Sequence, residues 1–146
     1  MLIRERMSKP VITIHQDICM QNALNLMRKE HIRRLPVLDN HGRLIGIVSE
    51  GDLLQGSSSD ETSLSVNEVN YLLSKITVEE VMSKNVITVT ERTPLEEAAR
   101  KMTDNEISGL PVVRDNEVVG IITKTDLFKI FLELLGARES VLSTFL

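Results

Sequence analysis

Tryptophan is absent from this chain, tyrosine occurs once and phenylalanine three times. A core made from these 146 residues therefore rests on Leu, Ile, Val, Ala and Met rather than on aromatic anchors. Cysteine is almost absent too. Cys19 alone cannot form an internal disulfide, so it reads as a small core thiol in a cytosolic protein. No apolar run approaches the roughly 20 residues needed to cross a bilayer, and "MLIRERMSKP" at the start has no apolar signal core. Positive charge is not in excess: 17 Lys+Arg against 21 Asp+Glu leave a net charge of −4. That balance argues against nucleic-acid binding, which needs a basic face. These absences point to a cytoplasmic protein with neither nucleic acid nor membrane as partner.

What is present is a repeat. Shifted by 75 residues, "MSKPVITI" (7–14) lies on "MSKNVITV" (82–89), Ala23 on Ala98, Met27 on Met102, and "LPVL" (35–38) on "LPVV" (110–113). One residue then drops out between "DNHGRLIG" and "RDNEVVG", and "GIVSEGDLL" (46–54) matches "GIITKTDLF" (120–128) at a shift of 74. A unit of roughly 50 residues is too short to bury a core comfortably alone. The two copies are therefore expected to pack as one body with pseudo-twofold symmetry. The division is 1–62 for the first motif, 63–76 for a linker helix, and 77–146 for the second motif with its C-terminal helix and tail.

Each copy parses in the same order. β-branched segments at 11–14 and 86–89 predict a first strand. A helix follows, with Met20, Ala23, Leu24 and Met27, or Leu95, Ala98, Ala99 and Met102, at helical spacing. In the second copy Thr93 is the expected N-cap, Pro94 the first helical residue and Glu96 the closing member of a capping box. Strands at 35–38 and 43–48, or 110–113 and 117–122, form a hairpin around a polar turn. A last helix starts at Ser49 or Thr123. The class is α/β, in two tandem β-α-β-β-α motifs. The joint "QGSSSDETS" (55–63) is polar and Gly/Ser-rich. Gly136 is the expected C-cap of the final helix. The apolar tail residues Val141, Leu142, Phe145 and Leu146 are expected to dock on the body or on a second subunit.

The doubled Ser49-x-x-Asp52 and Thr123-x-x-Asp126 admit two readings. A hydroxyl followed three residues later by an acid caps a helix. The same helix start, entered from a strand, offers free N–H groups and positive potential suited to phosphate. A carboxylate one turn in can accept both hydroxyls of a ribose.

Three features together resemble the cystathionine-β-synthase (CBS) domain: the opening "MSKxVIT(I/V)", the middle "HIRRLPVLD" or "EISGLPVV", and the closing "GIVSEGDLL" or "GIITKTDLF". Two copies resemble a CBS pair, or Bateman module, and the likeness covers nearly the whole chain. It implies a regulatory, non-enzymatic module that binds AMP, ADP, ATP or S-adenosylmethionine and transmits a conformational change to a regulated protein, commonly as a homodimer. It also implies roles. Asp52 and Asp126 match the ribose-binding acid, and Ser49 and Thr123 the hydroxyl near ribose and phosphate. Ile12, Thr13 and Ile14, with Ile87, Thr88 and Val89, match the first-strand segment whose backbone reads the adenine edge. The segments Ile32 to Pro36, with Leu35, and Ile107 to Pro111, with Ser108, Gly109 and Leu110, match the wall of the base. Arg33 and Arg34 stand where basic residues reach toward phosphate. The second copy has Ser108 and Gly109 there, so the sites are expected to be unequal. The C-terminal "GIITKTDLFKIFLELLGARES" is similar to acetoin-utilisation-type CBS proteins, here without the ACT domain that often follows. The alternative is a dimerisation scaffold that binds no ligand.

Several chemistries find no support. His15, His31 and His41 are scattered without metal-site spacing. Met7, Met20, Met27, Met82 and Met102 read as core filling. There is no Walker loop, GxGxxG, nucleophile elbow or catalytic acid–base pair.

Overall fold

The computed structural model describes residues 1–51 and 65–145, with side chains through residue 137. Asp52 and the joint at 55–63 lie outside the described residues, as do Leu146 and the side chains of Val141, Leu142 and Phe145. After a 3₁₀ turn at Ile3–Glu5, the first repeat forms β1 (Ile14–His15), α1 (Met20–Glu30), β2 (Arg34–Leu38) and β3 (Leu44–Ser49). Next come α2 (Val66–Leu73) and the short α3 (Val78–Val81). The second repeat forms β4 (Val89–Thr90), α4 (Leu95–Asp104), β5 (Gly109–Arg114), β6 (Glu117–Thr123) and α5 (Lys124–Phe145). The class is α/β, with two three-stranded sheets ordered β1-β2-β3 and β4-β5-β6. In each, the short first strand runs parallel to the middle one, and β2 is antiparallel to β3.

The helices bury the stripes that the spacing predicts. α1 buries Met20, Ala23, Leu24 and Met27, and α4 buries Ala98 and Met102. Both repeats leave the helix through a left-handed residue that is not glycine, His31 at φ 55° and Glu106 at φ 54°. The next N–H then closes back five residues: Ile32 to the Met27 carbonyl and Ile107 to the Met102 carbonyl, each at 3.0 Å. Ile32 and Ile107 pack against the cores, as the apolar contact of this helix end requires. The hairpins differ by the residue that drops out of the repeat. The first closes over three residues with Gly42 at φ 75°, the second over two, Asp115 and Asn116, at φ 50° and 68°.

The chain forms two compact units: Val11–Val86 with Asp115–Val118, and Met1–Pro10 with Ile87–Arg114 and Val119–Leu146. Each unit completes its core with a segment written ahead of the other repeat. Ile3 and Met7 are buried with Val89, Ala98, Met102, Leu110, Val112 and Ile122. Leu73 and Val78 are buried with Ile14, Ala23, Met27, Leu35, Val37 and Val48. The hydrogen bonds match pair for pair. Ser8 exchanges backbone bonds with Ile121 at 2.9 and 3.2 Å, and Ser83 does so with Ile47 at 2.9 and 3.0 Å. Glycine permits the approach. A Cβ on Gly46 would lie 2.3 Å from Met82 Sδ, and one on Gly120 would lie 2.7 Å from Met7 Sδ.

Four local expectations are corrected. The first strands span Ile14–His15 and Val89–Thr90, not 11–14 and 86–89. Thr93 does not cap α4. Its hydroxyl accepts the Thr90 N–H at 3.0 Å, closing its own turn, and Pro94 is the N-cap without a side-chain bond. Gly136 does not end α5, which runs on to Phe145; a glycine inside a helix costs only about 1 kcal/mol. Cys19 is half-buried at the start of α1 rather than in the core. The linker helix begins where Ser65 accepts the Glu68 N–H at 3.2 Å.

Candidate ligand site

The second-repeat unit shows the strand-to-helix site in full. β6 ends at Thr123 and α5 begins at Lys124. Asp126 Oδ2 accepts the Thr123 N–H at 2.9 Å and the Thr123 hydroxyl at 3.0 Å, while Thr123 Oγ1 accepts the Asp126 N–H at 3.2 Å. This reciprocal box satisfies two helix-start donors. It uses one carboxylate oxygen and leaves Oδ1 with no hydrogen bond among the described residues. A carboxylate has the capacity for a ribose hydroxyl besides. The capping and ligand readings of this motif are therefore compatible in one geometry.

The wall segment meets the helix start directly. Lys124 N–H donates to the Ser108 carbonyl at 3.0 Å, as Glu50 N–H does to the Arg33 carbonyl at 2.9 Å in the first repeat. Leu110 and Pro111, like Leu35 and Pro36, are buried, while Ile107 and Ser108 are half-buried. Two prolines shape what lies opposite. The parallel ladders begin at Ile14↔Val37 and Val89↔Val112. One residue earlier, Thr13 and Thr88 come level with Pro36 and Pro111, which offer no N–H. The ladders stop there. This explains why the first strands are shorter than the β-branched pattern predicts, and it leaves Ile12, Thr13, Ile87 and Thr88 half-buried at the strand start.

The first-repeat unit builds the same framework with different charge. Arg34 opens β2 in register with Ser49 at the end of β3, and Arg33 beside it is exposed. Glu50 and Gly51 are helical, as the motif predicts; Asp52 lies outside the described residues. The second repeat has no cation at the aligned positions, Ser108 and Gly109. It carries one elsewhere that sequence reasoning missed. Lys101 on α4 donates to the Thr88 carbonyl at 3.3 Å and is partly buried. Its aligned residue in α1 is Leu26, which packs on the first core. A lysine replacing an apolar residue at a matched repeat position is the signal that could have found it.

The histidines find local or solvent surroundings. His15 Nε2 sits 2.6 Å from Asn40 Oδ1, and His31 and His41 are exposed. Among the described residues no three His, Cys, Asp or Glu side chains group as metal ligands. No described helix is long and apolar enough to cross a membrane.

Comparison with known proteins places these features in one family. The CBS domain model matches residues 3–59 and 78–133, and the chain belongs to the CBS domain family as a tandem pair. L-aspartate semialdehyde sulfurtransferase of Methanocaldococcus jannaschii is 37% identical over 131 residues, which cover 89% of this chain and 23% of that protein. The chain thus spans about a quarter of that relative's length. The CBS domain pair of protein MJ0100, solved in complex with 5′-methylthioadenosine and S-adenosyl-L-methionine, superposes with a TM-score of 0.75 at 36% identity, covering 90% of this chain and 95% of that one. A Vibrio cholerae protein assigned to acetoin utilization, AcuB, gives a TM-score of 0.78 at 31% identity, covering 96% of both chains.

Proposed function

We propose that this chain is a non-enzymatic regulatory module that binds an adenosine-containing ligand, AMP, ADP, ATP or S-adenosylmethionine, and passes the binding event to a regulated protein. The Thr123–Asp126 box carries the reading: it sits between the wall segment and a helix start, with one carboxylate oxygen uncommitted. The adenosine ligands of the MJ0100 pair support the same class. The regulatory output requires a ligand with different affinity for two states of the module.

Calorimetric and thermal-shift titration with the four candidate ligands tests this. A ligand at 100 times its dissociation constant should stabilise the fold by about 2.7 kcal/mol. Asp126→Ala should cost about 1 kcal/mol of stability through the lost cap and, in addition, weaken ligand binding at that site about tenfold or more. Lost stability with unchanged affinity overturns the assignment of Asp126.

One observation favours a second reading, a scaffold that associates with its own copy. Phe128, Phe131, Leu132 and Leu135 recur along α5 at the spacing of one helix face and are 66, 55, 65 and 41% exposed. Such a stripe offers about 500 Å² of apolar surface, so two copies reach the roughly 1,000 Å² of a specific interface. A scaffold without ligand is the reading that survives if no adenylate at millimolar concentration shifts the melting temperature. Sedimentation at micromolar protein then reads the association.

A further inference from the structure

The two repeats differ at one position that faces the expected base edge. Thr88 stands where the resemblance puts the backbone that reads the purine, and its carbonyl accepts from Lys101 Nζ at 3.3 Å. An ammonium has three donors. One is spent on Thr88, and no other protein partner of Lys101 occurs among the described residues. The pair therefore presents an acceptor and a donor side by side. In the first repeat the aligned helix residue is Leu26, which offers no donor and packs on its core. The Thr13 carbonyl there has no lysine aligned beside it.

We infer that Lys101 is a specificity-determining residue that makes the second site read the purine edge with an ammonium–carbonyl pair, whereas the first site reads it without that ammonium. The inference rests on the proposed adenosine site. Adenine matches such a pair. Its exocyclic amine donates to the Thr88 carbonyl, and a neighbouring ring nitrogen, N1 or N7, accepts from Lys101. An analogue that carries C–H at that ring position leaves a partly buried ammonium without its acceptor. The first site, with leucine at 26, has no ammonium to strand.

The test is calorimetric titration of the full chain with AMP, 1-deaza-AMP and 7-deaza-AMP. The second site is the one weakened in Asp126→Ala. At that site one of the two deaza analogues should bind about tenfold more weakly than AMP, while the first site treats it like AMP. Lys101→Leu, which copies the first repeat and so suits the helix, should abolish the difference. Leu26→Lys should create it at the first site. Equal deaza penalties at both sites overturn the inference, as does a penalty that persists in Lys101→Leu, or the absence of any penalty while AMP binds. If no nucleotide binds the wild-type chain, the proposed function fails and takes this inference with it.

Discussion

The two repeats keep the same interior and change their rim. Seven core positions pair across them: Ile14 with Val89, Ala23 with Ala98, Met27 with Met102, Leu35 with Leu110, Val37 with Val112, Val48 with Ile122, and Val78 with Ile3. The residues that would touch a ligand do not pair so well. Arg33 and Arg34 face Ser108 and Gly109, and Leu26 faces Lys101. A close-packed interior punishes a change of even one methylene, whereas a half-exposed rim tolerates new chemistry. The repeat thus carries one scaffold twice and two rims that are not copies.

The sharpest way to break the comparison is through the exchanged segments. Ile3→Ala removes a fully buried side chain and should cost about 2–5 kcal/mol in denaturant unfolding. Hydrogen exchange should rise first in β4–β6 and α4, although the change lies at the start of the chain. Val78→Ala should act on β1–β3 and α1 instead, with a smaller loss because valine is one methylene shorter. If each substitution loosened the sheet of its own repeat, the exchange would be refuted.

Next in size are the two glycines. Gly46→Ala and Gly120→Ala should each destabilise by about 1–3 kcal/mol through overpacking, with Gly46 the worse. Its Cβ would meet Met82 Sδ at 2.3 Å and the Ser83 carbonyl at 3.1 Å; at Gly120 the first contact is 2.7 Å. The thioethers can swing away but the backbone carbonyls cannot. A double variant with Met82→Ala should therefore recover only part of the loss, as a double-mutant cycle reads it.

The smallest effect separates two surface carboxylates. Hydrogen bonding from the Arg114 side chain, the largest cause, holds Glu91 below its ordinary value of 4.5, against the opposing effect of desolvation. The Arg43 backbone N–H is the first cause for Asp39, held below 3.8. Both folded values are depressed, so each group stabilises the fold above its ordinary value. That contribution fades as pH falls from there through the lowered one. In an NMR titration, Arg114→Ala should return Glu91 toward its ordinary value. Arg43→Ala should leave Asp39 still lowered, because a backbone donor survives the substitution. An Asp39 shift that vanished with the Arg43 side chain would contradict this.

Much of the framework was legible in one dimension. The repeat, the helix stripes, the hairpins and the Thr123–Asp126 motif all rest on interactions within a few residues, which periodicity and capping chemistry report directly. Three features were not legible. Strand length at Ile14 and Val89 depends on a proline more than twenty positions downstream that withholds an N–H. Thr93 serves its own turn, its hydroxyl taking the Thr90 N–H at the end of β4 instead of a helix donor. Lys101 on α4 meets the Thr88 carbonyl only in the folded unit, thirteen residues away in sequence.

By itself the sequence determined that there are two copies of one α/β unit, which helix stripes face each core, and where a hydroxyl and an acid meet a helix start. Only the tertiary structure decided which copy each opening segment completes. The patterns "MSKP" and "MSKN" suit either sheet equally, and nothing local distinguishes them. Backbone pairing of Ser8 with Ile121 and of Ser83 with Ile47, over glycines that admit a methionine, joins residues far apart in sequence. Contacts of that range belong to the folded chain, not to any stretch of it.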